Sequence, residues 1–154
     1  MEPIEVAIVG GGPAGASCAI ELAKHGIYPT VFDHSHPREK PCGGGITAQV
    51  LKKFPFVENF RLTGSTVSNF RIISYNDIEV MSKENLYDFC ISRTLFDQGI
   101  LNLALEQGAK LTKEKVLDVK KTRTGWKIRT NKENYLAKIL VGADGVNSIV
   151  RSNT

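Results

Sequence analysis

The sequence predicts an α/β fold in which a parallel sheet with flanking helices is extended by an antiparallel β-meander. Three observations predict this architecture. A short apolar run at residues 4–9 leads into a glycine-rich turn and then a helical pattern, which is typical of a βαβ unit. Residues 94–107 carry apolar side chains at helical spacing and predict a further helix. Beyond residue 110, short strand-like runs alternate with turns and predict the meander.

The N-terminal segment carries the clearest order of elements. Residues 4–9 are apolar and rich in β-branched side chains, as expected of a buried parallel strand. Residues 13–25 predict a helix that opens on a proline and stops at Gly26. Residues 28–32 predict the second strand, which ends at Asp33. The connection between two such parallel strands is expected to be right-handed.

The middle of the chain alternates between irregular and regular patterns. Residues 34–45 predict an irregular stretch, 47–54 a short helix, 67–74 and 78–81 two strands joined at Asn76-Asp77, and 86–92 a further strand. In the helix at 94–107, Thr94 suits the N-terminal cap and Asp97 the first turn. Residues 115–121, 126–130 and 135–141 predict the meander, whose last strand re-enters the main sheet.

Composition excludes several classes of protein. The 154 residues carry a net charge of +4, without a dense basic run interleaved with aromatics, so a nucleic-acid-binding surface is not expected. Cys18, Cys42 and Cys90 are widely spaced, which argues against disulfides and a zinc site and favours a reducing, cytoplasmic compartment. His34 and His36 lack a third metal ligand, so we interpret them as solvated loop residues or aids to phosphate binding.

The glycine-rich turn predicts a dinucleotide site. Gly10, Gly12 and Gly15 give G-x-G-x-x-G between strand and helix, with Pro13 and Ala14 inside the motif. The first glycine allows the tight turn, the second lets a pyrophosphate approach the backbone, and the third lets helix and strand pack closely. Asp33, which follows Phe32 at the end of the second strand, is placed to accept hydrogen bonds from ribose hydroxyls and to repel a 2′-phosphate, which disfavours NADP. These features alone leave FAD and NAD open.

Three segments resemble one superfamily of flavoproteins. Residues 6–33 resemble the ADP-binding motif of flavoproteins with two dinucleotide-binding domains. Residues 141–151, V-G-A-D-G-V-N-S-I-V-R, resemble the Asp-Gly motif of flavoprotein monooxygenases and geranylgeranyl reductases, and residues 92–97 resemble their R-x-x-F-D segment. The resemblance implies a Rossmann-like FAD-binding fold with FAD as cofactor. It implies further that the phosphate side is lined by Arg93, Ala143, Asp144 and Gly145, and that the backbone of Val116 touches adenine.

Residues 40–45, K-P-C-G-G-G, resemble the signature of the geranylgeranyl reductases. This resemblance implies reduction of isoprenoid double bonds by reduced flavin. It places Gly43 and Gly44 against the flavin ring and Cys42 in the active site, where the thiol would shape the pocket or assist protonation of the reduced alkene. The implied partners are a prenyl lipid, an electron donor that is NAD(P)H or ferredoxin, and a membrane surface contacted peripherally.

Two alternatives stay open at this point. An aromatic hydroxylase-like monooxygenase shares the glycine turn and the Asp-Gly motif, although K-P-C-G-G-G speaks against it. The other alternative is a FAD-binding module without turnover of its own. Family members continue with a substrate-binding sheet and a second Gly-Asp motif, so the resemblance predicts a chain truncated before that sheet, with weakened FAD retention and self-association through an exposed sheet edge.

The expected organisation is one FAD-binding domain over residues 1–154. Residues 1–45 form the ADP-binding βαβ unit and the Cys-Gly-Gly-Gly loop, and residues 65–92 form partial substrate-side strands. Residues 93–154 supply the helix, the meander and the Asp-Gly motif.

Overall fold

A computed structural model describes residues 4–82 and 89–154 of the chain. The elements in chain order are β1 (Ile4–Val9), α1 (Pro13–Lys24), β2 (Thr30–Phe32), β3 (Gly45–Ile46), α2 (Ala48–Lys53), a 3₁₀ helix (Pro55–Thr63), β4 (Ser65–Thr66), β5 (Phe70–Ile73), β6 (Glu79–Ser82), β7 (Phe89–Cys90), α3 (Arg93–Glu106), β8 (Lys110–Thr112), β9 (Val116–Thr122), β10 (Gly125–Thr130), β11 (Asn134–Gly142) and α4 (Ile149–Ser152). The chain divides into two compact units. Residues 4–38 and 97–154 form the first unit, and residues 39–82 and 89–96 form the second.

The first unit is built on a mixed sheet with the strand order β8-β2-β1-β11-β10-β9. β8, β2, β1 and β11 run parallel, and β10 and β9 join as an antiparallel meander. Ile8 of β1 pairs with Val31 of β2 on one side and with Val141 of β11 on the other. The predicted α/β fold, with its parallel sheet and its meander returning to the main sheet, is therefore confirmed.

The core of the first unit explains why β1 is apolar throughout its second half. Val6, Ala7, Ile8 and Val9 are all buried because β1 has a neighbouring strand on each side and is covered on both faces. Two of its side chains join others from β2, β9, β10, β11 and α4 in one cluster, whose buried members are Ala7, Val9, Phe32, Val116, Val119, Ile128, Ala137 and Val150. Burying a large aliphatic side chain of this kind stabilises the fold by roughly 1.5–3 kcal/mol.

Helix α1 begins at the predicted residue and ends at Lys24, one residue before the predicted end. Pro13 occupies the first turn, where an N–H group would have no intrahelical partner. Gly26 follows the helix with a φ of 76°, a left-handed conformation that glycine adopts without a steric penalty. Its N–H donates to the Ala23 carbonyl at 2.9 Å and closes the helix end.

The second unit consists of short elements. β3 and β4 flank β7 in an antiparallel sheet, and β5 and β6 form a hairpin in which Ile72 lies opposite Val80. The hairpin agrees with the predicted strands at 67–74 and 78–81, although the first is shorter and the second is shifted by one residue. Of the strand predicted at 86–92, residues 86–88 lie outside the described part of the chain, and Phe89–Cys90 is strand.

Two expectations about α3 are wrong. The helix already begins at Arg93, where the Phe96 N–H donates to the Ser92 carbonyl, so Thr94 lies inside the first turn and does not cap it. The Thr94 hydroxyl donates instead to Glu39 at 2.7 Å. Asp97 lies past the first turn and is fully buried. Across residues 4–82 and 89–154, the helices all fall short of the length and apolarity needed to cross a bilayer.

Candidate functional site

The glycine turn between β1 and α1 needs glycine at its first and last motif positions. Gly10 has a φ of 103°, and a Cβ there would lie 2.3 Å from the Ala143 carbonyl oxygen. A Cβ at Gly15 would lie 1.9 Å from the Gly10 carbonyl oxygen. The Gly10 N–H donates to the Phe32 carbonyl at 2.9 Å, which ties the turn to the end of β2. Because glycine lacks a Cβ, the turn, α1 and the loop after β11 can come this close.

Gly12 differs from these two glycines because space remains around it. Its φ is −69°, and a Cβ there would meet a single neighbour within 4 Å, Cε1 of His36, at 4.0 Å. Gly12 is also the N-cap of α1, and it has no side chain to accept the N–H groups of Ala14 and Gly15, which follow Pro13 in the first turn. Open space beside a helix N-terminus with unsatisfied donors fits a phosphate group, so this turn fits the pyrophosphate of a dinucleotide.

Asp33 lies at the end of β2 with its carboxylate turned towards the glycine turn. One oxygen, Oδ2, accepts from the Gly11 N–H at 2.7 Å. The other, Oδ1, accepts from the Ser35 N–H at 2.7 Å, the Ser35 hydroxyl at 2.9 Å and the His36 N–H at 3.1 Å. Asp33 is only 8% exposed. The carboxylate therefore already holds two loops together before any ligand is considered.

His36 is buried beside this carboxylate, which overturns the interpretation of His36 as a solvated loop residue. Its side chain is 1% exposed, with Nδ1 lying 2.9 Å from Asp33 Oδ2 and Nε2 lying 3.7 Å from Asp97 Oδ2. Neither ring nitrogen makes a hydrogen bond of good geometry with any described residue, so these contacts are best regarded as ion pairs. His34, by contrast, is exposed as expected.

The pKa of Asp33 is lowered and that of His36 is raised, as expected when the two side chains form an ion pair. Burial alone would raise the pKa of Asp33, but His36 and the Gly11 and Ser35 N–H groups outweigh it and hold the pKa well below its usual range. Asp33 and then Asp97 raise the pKa of His36 to about 9, against the opposing effects of burial and of Arg38. At neutral pH the cluster therefore contains an imidazolium between carboxylates.

The Asp-Gly motif forms the loop between β11 and α4, beside the glycine turn. Ala143 donates its N–H to the Val9 carbonyl at 2.8 Å, and the Cα of Asp144 would be 2.9 Å from a Cβ at Gly10. Asp144 Oδ2 accepts from the Ile149 N–H at 2.6 Å, and its Oδ1 accepts from the Ser148 hydroxyl at 2.5 Å. The Asp144 carboxylate thus fixes the start of α4 and, with it, the backbone that faces the turn.

Of the remaining predicted site residues of the first unit, Phe32 and Val116 lie in its core and Gly145 lies at the surface. Phe32 and Val116 belong to the same buried cluster and are 1% and 8% exposed. Their side chains stabilise the sheet, so a ligand would meet them chiefly through backbone. Gly145 follows Asp144 with a φ of 83° and open space around its missing side chain.

The Cys-Gly-Gly-Gly loop belongs to the second unit. Cys42 is exposed and not in a disulfide. Gly44 has a φ of 66°, and a Cβ there would lie 1.8 Å from the Ile91 carbonyl oxygen, so this position requires glycine. A Cβ at Gly43 would meet nothing within 4 Å, which leaves room for a flat ligand against its backbone. Arg93, the first residue of α3, also belongs to this unit.

Sequence reasoning missed the ion cluster of Asp33, His36 and Asp97. One signal was available. Asp97 shares a helical face with Ile100, Leu101 and Ala104, all of them buried, and a carboxylate on such a face needs a partner. Among the residues that the structure describes, groups of three or more histidine, cysteine or acidic side chains with the arrangement of a metal site are not found.

The family described as "FAD binding domain" matches residues 3–154, almost the whole chain. The chain belongs to this FAD-binding family. It is an oxidoreductase-family domain, and FAD is its cofactor. The open glycine turn at the helix N-terminus agrees with that assignment, because it has the space and the donors that the FAD pyrophosphate needs.

Relatives of this FAD-binding domain include prenyl reductases. The chain is 30% identical to a geranylgeranyl diphosphate reductase of Rhodobacter capsulatus, over 94% of this chain and 38% of the relative. It superimposes with a TM-score of 0.76 on a geranylgeranyl bacteriochlorophyll reductase-like protein of Thermoplasma acidophilum, at 29% identity over 94% of this chain and 40% of that one.

The same fold also occurs in flavoproteins with other names. A flavin-dependent brominase superimposes with a TM-score of 0.77, at 26% identity over 95% of this chain and 39% of the brominase. The chain thus spans about two fifths of each of these three proteins. These proteins share the fold but differ in the substrates that their names state, so the fold alone does not fix the substrate of this chain.

Proposed function

We propose that this domain is the FAD-binding part of an oxidoreductase that reduces isoprenoid double bonds. The observation that carries the proposal is the similarity to a geranylgeranyl diphosphate reductase over 94% of the chain, which includes the K-P-C-G-G-G segment. Reduced FAD, when bound, supplies the hydride for one alkene carbon, and the other carbon takes a proton.

Each unit contributes residues to this proposed role. In the first, Gly10, Gly12, Pro13, Ala14 and Gly15 would receive the pyrophosphate, and Ala143, Asp144 and Gly145 would line its other side. Phe32, Asp33 and Val116 would contact the adenosine end. The crowded carboxylate of Asp33 limits that contact, because a ribose hydroxyl would have to share or replace an existing donor.

In the second unit, the loop at Cys42 would face the isoalloxazine end of FAD. Gly43 and Gly44 would offer backbone to the isoalloxazine ring, and Arg93 would face the phosphates. Cys42 is exposed and carries a thiol, so its Sγ would hold the proton that completes alkene reduction or shape the pocket around the prenyl chain.

The substrate class also suggests where the protein acts. A prenyl lipid partitions into membranes, so we propose a cytoplasmic protein that contacts a membrane surface peripherally and receives electrons from NAD(P)H or ferredoxin. Flotation with liposomes that contain a prenyl lipid tests the membrane contact, and flavin reduction by each donor under nitrogen tests the donor.

The decisive experiment separates cofactor binding from turnover. The protein is loaded with FAD, reduced with dithionite without oxygen, and mixed with geranylgeranyl diphosphate while the flavin absorbance is recorded. The proposal predicts flavin reoxidation together with a product that has gained two hydrogens, measured by mass spectrometry. Cys42→Ser is expected to slow this step, whereas Cys18→Ser, in α1, serves as the matched control.

Other outcomes distinguish the alternatives. Hydroxylation of an aromatic compound after oxygen is admitted would support a monooxygenase and contradict the proposal. Tight FAD binding without any reoxidation by prenyl or aromatic substrates would identify a binding module that has no turnover of its own.

A further inference from the structure

We propose that His36 is a positioning residue for the cofactor: its buried ring links Asp33 to Asp97 and thereby holds the glycine turn in the shape that receives the FAD pyrophosphate. The inference rests on FAD binding by this domain and does not depend on which substrate the flavin reduces. His36 would act through its neighbours, without a chemical step of its own.

The geometry connects three segments that are distant in sequence. Nδ1 of His36 lies 2.9 Å from Asp33 at the end of β2, and Nε2 lies 3.7 Å from Asp97 in α3. The same ring is the neighbour that a Cβ at Gly12 would meet, at 4.0 Å, so it lies beside the glycine turn. The Asp97 side chain is 0% exposed and that of His36 is 1% exposed, so water screens this cluster weakly.

Asp33 transmits the effect of His36 to the turn. The oxygen that lies next to His36 Nδ1 is the one that accepts from the Gly11 N–H at 2.7 Å. A carboxylate offers about four acceptor positions, and the donors from Gly11, Ser35 and His36 occupy them. We infer that the main work of Asp33 is to fix the Gly11 peptide, and that His36 keeps its carboxylate in place for that purpose.

Charge explains why an imidazole is suited to this place. Asp33 and Asp97 attract the protonated ring, and Arg38 on the same loop opposes them. The glycine turn contributes no titratable side chain. Two carboxylates without a cation between them would repel each other in a buried site, and a buried unpaired charge is strongly unfavourable. Loss of the His36 proton therefore releases Asp33 from Gly11 and lowers the fraction of protein whose turn can bind FAD.

The test measures FAD affinity against pH, by quenching of flavin fluorescence from pH 6 to 9.5. The proposal predicts that the Kd of the wild-type protein rises about tenfold as the pH passes through the upper part of this range. His36→Gln should bind FAD about tenfold more weakly at pH 6.5 and lack the step, because an amide does not titrate. His25→Gln, at the exposed end of α1, is the matched control and should keep the wild-type profile.

A second measurement follows the titration of the His36 ring in the wild-type protein directly. The chain contains three histidines, so ring resonances can be assigned in NMR spectra by comparison with the His25→Gln and His36→Gln proteins. The His36 resonance should titrate near pH 9 in the wild-type protein, and at lower pH in Asp97→Asn, which removes one of the two carboxylate charges. Titration of wild-type His36 below pH 7 would overturn the proposal.

The affinity data also give a clear negative result. If His36→Gln and the wild-type protein bind FAD with the same Kd at every pH, His36 does not position the turn. If neither protein binds FAD at any pH, the premise of FAD binding is wrong. The NMR titration separates this outcome from an error in the His36 proposal, because it reports on the His36 ring without FAD. A loss of affinity in His36→Gln that keeps the wild-type pH step would assign His36 a packing role only, and would also contradict the proposal.

Discussion

Two glycines of the same turn, Gly10 and Gly12, differ in what a methyl group would meet. At Gly10 a Cβ would overlap the Ala143 carbonyl, and the positive φ would be strained as well. At Gly12 the φ is −69°, and the surrounding space accepts a methyl group. The first position therefore serves the fold, whereas the second leaves room for a ligand.

This difference predicts opposite results for two alanine substitutions. Gly12→Ala should change the free energy of unfolding by no more than about 1 kcal/mol, because restriction of the unfolded chain and the poorer N-cap of α1 oppose each other. Its FAD affinity should fall at least about tenfold, since the methyl group occupies the space of the pyrophosphate. Gly10→Ala should lose several kcal/mol of stability, on the order of a severe backbone clash. Urea unfolding and FAD titration check both, and unchanged FAD binding in Gly12→Ala would place the pyrophosphate elsewhere.

The His36 cluster makes stability depend on pH in a defined direction. The folded pKa of His36, about 9, lies above its ordinary value of 6.5. The stabilisation is therefore complete below pH 6.5 and is lost as the pH rises through about 9, with an upper bound of about 3 kcal/mol. Asp33 affects stability at acidic pH. Because its pKa is lowered in the folded protein, it stabilises the fold at pH values above the ordinary pKa of an aspartate, and this contribution is lost as the pH falls.

Urea unfolding between pH 6 and 9.5 measures this dependence. The wild-type protein should become less stable across the interval, and His36→Gln should show a flatter profile because the titrating ring is gone. A wild-type profile that rises with pH over this interval would contradict the assigned direction of the His36 shift.

At the scale of elements, those with a local sequence pattern could be predicted, and those that depend on long-range contacts could not. β1, α1 and the meander could be predicted because each carries its own period of apolar residues over several positions. β8, a three-residue parallel strand beside β2, and the two-residue β3 and β4 exist through pairing with distant strands, which no local pattern records. The 3₁₀ helix at Pro55–Thr63 was missed for a different reason, since 3₁₀ helices of this length are uncommon.

The same division holds for the site. The glycine motif and the Asp-Gly loop could be found because their residues are consecutive and their spacing is fixed by the turn they form. The partnership of His36 with Asp97 could not, because it depends on α3 returning to the end of β2 in the folded first unit. An aspartate on an apolar helix face was the one local sign that a buried partner existed.

Helix α4 is short, and its start depends on Asp144. This carboxylate accepts from the Ile149 and Val150 N–H groups at 2.6 and 3.3 Å, while Ser148 accepts from the Arg151 N–H at 3.0 Å. Asp144→Ala removes the acceptor for two helix N–H groups and should lower the free energy of unfolding by about 1 kcal/mol.

Asp144→Ala should also weaken FAD binding, because the loop backbone that faces Gly10 is no longer fixed. Asp144→Asn keeps an acceptor oxygen and should lie between alanine and the wild type in both measurements. Ser148→Ala keeps the Asp144 carboxylate but removes the hydroxyl that donates to it and that accepts from the Arg151 N–H, so it compares loss of the Ser148 hydrogen bonds with loss of the carboxylate itself. Equal FAD affinity in Asp144→Ala and the wild-type protein would show that the loop does not contribute to the cofactor site.

At the scale of the whole molecule, the hairpin of β5 and β6 stands out by its exposed apolar side chains. Ile72, Ile73, Val80 and Met81 are each more than half exposed, and so is Ile78 in the turn region. Ile72 and Val80 lie directly opposite each other and share one face of the two-stranded sheet. A hairpin with such faces, and with edges that pair with no other strand in the described part of the chain, is a template for association with another chain.

We therefore predict that the isolated chain self-associates through this hairpin as its concentration rises. The apparent mass from light scattering should increase with concentration, and the double variant Ile72→Thr with Val80→Thr should remain at the monomer mass. Threonine keeps the β-branched shape that suits a strand while it removes apolar surface, so the hairpin itself should persist. Leu62→Thr is the matched control, because Leu62 is 97% exposed but lies in the 3₁₀ helix outside the hairpin. Association that survives in the double variant and disappears in the Leu62 variant would place the contact on a different surface.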